Sequence, residues 1–143
     1  MLPLPRHVIG LAVLFRVERE ALSFVIATRE SSTVSARCIE YFDQRAIEIA
    51  RSTASAGMIP ADAGAMVYVE EEINDDLDST LARWLELIET IAADFEPLVF
   101  DGEARLREAR KIRHSIPTTM NERGRKYRDS GGRKISTDWA VPY

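Results

Sequence analysis

The length of 143 residues fits a single domain, and a content of 45% hydrophobic and 29% charged residues excludes an intrinsically disordered or fibrous chain. Residues 1–100 carry 8 Arg, no Lys and 17 acidic residues, a net charge of −9, whereas residues 101–143 carry 11 Lys or Arg and 6 acidic residues, a net charge of +5. This asymmetry indicates that the end of the chain contacts something anionic, whether nucleic acid, the acidic body of the chain itself or a sister subunit.

The first elements in chain order predict an antiparallel hairpin. Val8 to Val17 is almost continuously apolar, which is typical of a strand covered on both faces. Leu22 to Thr28 resumes strand composition after the polar residues 18–20. Residues 33–42 then fit either a third strand or the start of a helix from Ser31 or Ser32 to about Ala56, and we favour the helix. Asp43 is a good N-cap if that helix begins late.

The middle of the chain alternates short strands with helices. Ala65 to Val69 predicts a buried strand, and Asn74 is placed to cap a helix over about 75–95. A regular apolar stripe supports this helix: its members are Leu77, Leu81, Trp84, Ile88, Ile91 and Phe95. Residues 98–100 predict another strand, and Asp101 caps a further helix to about Arg113.

After Pro117 the composition becomes basic and rich in glycine. We therefore divide the chain into a compact domain, residues 1–116, and a basic C-terminal hairpin or tail, residues 117–143. Residues 129–132 suit the loop of such a hairpin, and alternation around Trp139 is typical of a strand with one buried face.

These elements predict an α/β fold, at the border with α+β, built on a mixed sheet with an N-terminal antiparallel hairpin or meander. The order of elements resembles the RNase H-like fold of Holliday-junction resolvases, provided that residues 33–42 form a strand. The resemblance implies metal-ligand roles for Glu70, which follows the strand at 66–69, and for Asp138. These enzymes also need an acidic residue on the first strand to hold two metal ions, and Ala12 occupies that approximate position, so nuclease chemistry is not expected.

Other recognised sites are absent from the sequence. The acidic run from Glu70 to Asp78 fails the EF-hand pattern because counting from Asp76 puts Leu81 at the sixth position and Leu87 at the twelfth. There is no phosphate-binding loop, dinucleotide fingerprint, nucleophile elbow or paired-cysteine zinc site, and we predict no cofactor. Cys38 is the single cysteine and is interpreted as a small buried hydrophobic residue.

The same features predict the compartment. One cysteine gives no disulfide framework, which is typical of a reducing environment. The apolar run at 8–15 is too short to span a bilayer and is followed at once by charges rather than by a cleavage site. We therefore expect a cytoplasmic protein without a membrane partner.

The basic segment is the strongest functional signal, since cations contact phosphates or carboxylates and interleaved aromatic rings stack on bases. The sequence therefore predicts a non-enzymatic binding or assembly module, a homo-oligomer or a partner of another protein, that associates through this segment. The alternative is a nucleic-acid-associated protein, either a degenerate RNase H-like fold of the resolvase type that only binds or, third in order, a divalent-metal nuclease. The candidate contact residues are Arg110, Arg113, Arg123, Arg125, Lys126, Arg128, Arg133, Lys134 and Trp139.

Overall fold

A computed structural model describes residues 7–54, 57–91 and 93–132 of the chain. Strands and helices alternate strictly along it, and a short 3-10 turn follows the last helix. The elements are β1 (Val8–Phe15), α1 (Glu18–Glu30), β2 (Ala36–Phe42), α2 (Gln44–Thr53), β3 (Ala65–Glu72), α3 (Leu77–Thr90), β4 (Leu98–Asp101), α4 (Gly102–Lys126) and the 3-10 turn (Arg128–Ser130).

The four strands form one sheet in the order β2-β3-β1-β4. β1 pairs with β3 on one side and β4 on the other, and β2 pairs with β3. In the described part of the chain each of these pairs is antiparallel, so the sheet is antiparallel rather than mixed. The register places Gly10 of β1 opposite Glu70 of β3 and opposite Phe100 of β4. The predicted α/β class is confirmed.

Helices cover both faces of the sheet, which explains the unbroken apolar run in β1. One core lies under α1 and α3, where Phe24 and Trp84 pack on alternate residues of β1 such as Val13. The other lies under α2 and α4, where Ile47 and Ile112 pack with the intervening strand residues. Successive side chains of β1 point to opposite faces, so helices cover both sets and every residue of the strand is apolar.

The predicted N-terminal hairpin is wrong. Residues 18–30 form helix α1, in which Ala21, Phe24 and Thr28 are buried at spacings of three and four. Leu22 and Ile26, which suggested a strand, are exposed on the outside of the helix. The composition of a short apolar segment does not separate strand from helix, and packing against the sheet decided it here.

The favoured long helix from residue 31 or 32 is also wrong. Residues 36–42 form strand β2, the alternative that the sequence left open, and α2 begins only at Gln44. Asp43 is its N-cap, because its Oδ1 accepts a hydrogen bond of 2.8 Å from the backbone N–H of Ala46. The late-start cap predicted from sequence is therefore the observed one.

The elements from residue 65 onward occur in the predicted order, but several of them begin or end at residues other than those predicted. The strand β3 is confirmed, and so is the stripe of α3 from Leu77 to Ile91, with Trp84 and Ile88 buried. Phe95, the last predicted member, lies beyond the end of the helix and packs in the core under α2 and α4. Asp76 rather than Asn74 caps the helix. Asp101 precedes α4 as predicted, but its carboxylate does not cap the helix and instead lies 2.8 Å from His7 Nε2.

Helix α4 continues past Arg113 and through Pro117, so the predicted boundary between residues 116 and 117 falls inside it. Its 25 residues span about 37 Å, longer than the roughly 26 Å of an eight-residue strand. Because α4 is longer than the strands it covers, its last turns are exposed. The 3-10 turn occupies part of the predicted hairpin loop, and the predicted final strand around Trp139 lies outside the described residues.

The RNase H-like layout is not confirmed. The resemblance depends on a meander of three successive strands, but helix α1 separates β1 from β2. Moreover, β1 has β3 and β4 as its neighbours, whereas β2 lies at the edge of the sheet.

Candidate functional site

Two of the predicted site residues, Glu70 and Arg113, meet on the face of the sheet under α4. Arg113 Nη1 donates to Glu70 Oε1 at 3.0 Å. Its Nε donates to Glu40 Oε2 at 2.9 Å, and Nη2 donates to the other oxygen of Glu40. The guanidinium therefore forms a two-pronged pair with one carboxylate and a single bond with another, and the hydrogen bond to Glu40 is the first cause of its raised pKa.

Tyr68 forms the floor of this cluster. Its ring centroid lies 4.6 Å from Arg113 Cζ, and its hydroxyl donates to Glu70 Oε1 at 2.9 Å. The tyrosine is 2% exposed, and burial followed by the charge of Glu70 raises its pKa. Gly10 makes room for the ring, since a Cβ there would lie 2.5 Å from the tyrosine hydroxyl oxygen.

Cys38 lies at the rim of the cluster. Its Sγ is 3.8 Å from Glu40 Oε1 and 3.9 Å from Arg113 Nη2. Burial, followed by the charge of Glu40, raises the pKa of the thiol to about 11. The thiol is therefore protonated at neutral pH. The sequence-based interpretation of Cys38 as a small buried hydrophobic residue is not confirmed, because the side chain is only partly buried and lies beside Glu40 and Arg113.

This cluster joins two carboxylates, those of Glu40 and Glu70, to one cation, Arg113. The two carboxylates converge on the protein's own cation, and no group of three or more His, Cys, Asp or Glu side chains in residues 7–54, 57–91 and 93–132 is arranged to hold a metal ion. Asp138 lies outside the described residues, so its predicted role as a metal ligand stays a prediction.

The other basic candidates do not join this cluster. They are exposed, and within the part of the chain that the structure describes none of them forms an ion pair. These residues are Arg110, Arg123, Arg125, Lys126 and Arg128. Arg133, Lys134 and Trp139 lie outside the described residues. Among the basic candidates that the structure describes, Arg113 is thus the one that turns inward.

Most of the other arginines that pair with a carboxylate lie at the surface. Arg16 contacts Asp62 and Asp94, and Arg83 contacts Asp75 at 2.8 Å. In the first turns of α4 the arginines are also neutralised by neighbouring glutamates: Arg105 pairs with Glu108 and Arg107 with Glu103. The basic segment, which we define as Arg123, Arg125, Lys126 and Arg128, differs from these in being unpaired among the described residues.

A groove lies between α2 and α4 beside the basic segment. Its volume is about 430 Å³, and it is lined by Arg45, Glu48, Ile49, Ser52, Thr119 and Arg123. Arg45 and Arg123 come from the two opposing helices. Sequence reasoning missed this groove, although Arg45, Ile49 and Ser52 recur at spacings of four and three, a pattern that places them on one helix face.

Comparison with known protein families and with curated protein sequences returns no match. In the described residues, no helix is both long enough and apolar enough to cross a bilayer.

Glu40, Tyr68 and Gly10 were also missed from sequence. Tyr68 and Glu70 alternate on one strand, and so do Cys38 and Glu40, but the second pattern is readable only once residues 36–42 are known to be a strand.

Proposed function

We propose that this chain is a non-catalytic assembly module whose basic segment binds the acidic surface of a second copy. One observation carries the proposal: four cations lie within six residues, all are exposed, and none is ion-paired within the described part of the chain. Arg123 and Lys126 are also three residues apart on the helix, a like-charge spacing that costs a few tenths of a kcal/mol. Anionic contacts from outside the chain relieve this repulsion.

The C-terminal end of α4 tolerates this charge because cations are favoured by the helix dipole there. The dipole does not supply a hydrogen-bonding partner, however, so each guanidinium remains available for a carboxylate or phosphate. Two apolar side chains lie beside the cations: Met120 is 40% exposed and Tyr127 is 63% exposed. A charged rim around partly exposed apolar groups is typical of protein interfaces.

The body of the chain offers a surface of complementary charge. Residues 1–100 carry a net charge of −9, and the outer face of α3 exposes Asp78, Glu86 and Glu89 around Leu85, which is 41% exposed. A basic segment on one copy and an acidic face on another form a heterologous contact, which repeats along a ring or a filament.

The test is the mass of the protein in solution, measured by light scattering after size exclusion at low and at high salt. We expect wild type to exceed the monomer mass at low salt and to dissociate as salt rises, because exposed charges are screened. Arg125→Gln/Lys126→Gln should shift the mass toward the monomer. Arg105→Gln/Arg107→Gln removes the same charge from the same helix but should leave the mass unchanged. A wild-type monomer at every salt concentration contradicts the proposal.

Nucleic-acid binding is the second candidate, and the exposure of Tyr127 among the cations favours it. An accessible aromatic ring stacks on an unpaired base, and neighbouring cations contact the phosphates. The assay is fluorescence anisotropy of labelled single-stranded DNA and RNA at two salt concentrations, with Tyr127→Ala as the variant. Phosphate contacts predict affinity that falls steeply with salt, and absence of binding at low salt contradicts this candidate.

A further inference from the structure

The groove between α2 and α4 contains charged groups of both signs and a hydroxyl that have no side-chain partner among the described residues. Arg45 and Glu48 on α2, and Thr119 and Arg123 on α4, line it. Within residues 7–54, 57–91 and 93–132, none of these four side chains takes part in an ion pair or a side-chain hydrogen bond. Two cations and one carboxylate thus face a shared space without pairing across it.

The groove has the size of a small-molecule site, and its lining is mostly polar. Its volume of about 430 Å³ falls in the usual range for ligand pockets, and Ile49, which is 7% exposed, supplies an apolar patch in the lining. The hydroxyl of Ser52 donates to the carbonyl of Ile49 at 2.7 Å, so this group is already committed to the backbone.

The two guanidiniums favour a phosphate over a carboxylate. A carboxylate is planar and is satisfied by a single guanidinium, as Glu40 is by Arg113. A tetrahedral phosphate instead presents oxygens in several directions, and arginines from two helices can each bind one edge. With Arg45, Arg123 and Glu48 the groove has a net charge of +1, which attracts an anion.

We propose that the α2–α4 groove binds a small phosphomonoester of nucleotide size. Arg45 and Arg123 bind the phosphate, and the hydroxyl of Thr119 donates to it. Glu48 accepts a hydrogen bond from an N–H or O–H group on the remainder of the ligand. The groove shares Arg123 with the basic segment but does not depend on the association of two copies.

Isothermal titration calorimetry of the full chain with adenosine 5′-monophosphate tests this, with adenosine and inorganic phosphate as companion probes. We expect the monophosphate to bind, inorganic phosphate to compete with it, and adenosine to bind at least about tenfold more weakly because it lacks the charged hydrogen bonds. Arg45→Gln should weaken the monophosphate by about tenfold or more for the same reason.

Arg19→Gln is the matched control, because Arg19 is an exposed arginine in the first turn of α1, on the other face of the sheet. It should bind the monophosphate as wild type does. Arg125→Gln/Lys126→Gln should also retain binding, which separates this inference from the assembly proposal. No heat of binding at millimolar monophosphate, or equal affinity in wild type and Arg45→Gln, overturns the proposal.

Discussion

Replacing Arg113 by Met tests whether the cluster under α4 is held by its guanidinium. Methionine keeps much of the length and apolar surface of the side chain but removes the charge. The side chains of Arg113 and Glu70 are 18% and 19% exposed, so the substitution leaves Glu70 largely desolvated without a cation, while Glu40, at 38%, retains access to water.

The magnitude follows from these exposures. Removing one partner of a fully buried ion pair costs about 3–5 kcal/mol. Partial exposure lowers this cost, because water replaces some of the lost interaction, but a contact of 4.6 Å between Arg113 and the ring of Tyr68 is lost as well, worth about 1 kcal/mol. We expect Arg113→Met to lower the free energy of unfolding by about 2–3 kcal/mol, a large share of the roughly 5–15 kcal/mol typical of a domain.

Urea denaturation followed by circular dichroism measures this loss. The control is Arg107→Met on the same helix, where the arginine is 60% exposed and its partner Glu103 is 92% exposed. That pair should contribute less than about 0.5 kcal/mol. Adding Glu70→Gln to Arg113→Met should restore part of the stability, since it removes the uncompensated charge.

An Arg113→Met variant that is no more destabilised than the control would refute the role of the guanidinium. A double variant less stable than the single one would refute it too, because the loss would then not arise from an unpaired carboxylate.

The remaining predictions concern the floor and the rim of the same cluster. Gly10→Ala should lower the free energy of unfolding by about 1–3 kcal/mol, because its Cβ would lie 2.5 Å from the hydroxyl oxygen of Tyr68. The same substitution in a Tyr68→Phe background should cost less in thermal denaturation, and an equal cost would exclude this clash as the cause. The rate of alkylation of Cys38 by iodoacetamide should rise with pH and follow a thiol pKa of about 11. Glu40→Gln should shift the rate profile to lower pH, since it removes a negative charge that disfavours the thiolate, and an unchanged profile would contradict that role.

The sequence determined those elements whose pattern is long or periodic. Strand β1 is apolar at every position and α3 has a regular stripe, so both were predicted correctly. The charge segregation was also readable, because it needs only a count along the chain. For Cys38, the sequence predicted a small buried hydrophobic residue, but only the structure shows that the thiol is partly buried and lies beside Glu40 and Arg113.

The tertiary structure decided the elements with short or ambiguous patterns. Residues 22–28 and 36–42 each suit strand or helix locally, and both predictions were wrong because long-range packing selected the other state. The tertiary structure also decided which cations of the described residues have an ion-pair partner. Helical periodicity gives relative positions around α4, but only the position of the sheet shows that Arg113 turns inward.

The groove between α2 and α4 could not be predicted from local sequence patterns either. Arg45 and Arg123 are 78 positions apart in the sequence, and they face one another only because α2 and α4 cover the same face of the sheet. A local sequence pattern shows which side chains of one element share a face. Which faces of two distant elements meet depends on the order of the strands, and residues far apart in the sequence contribute to that order.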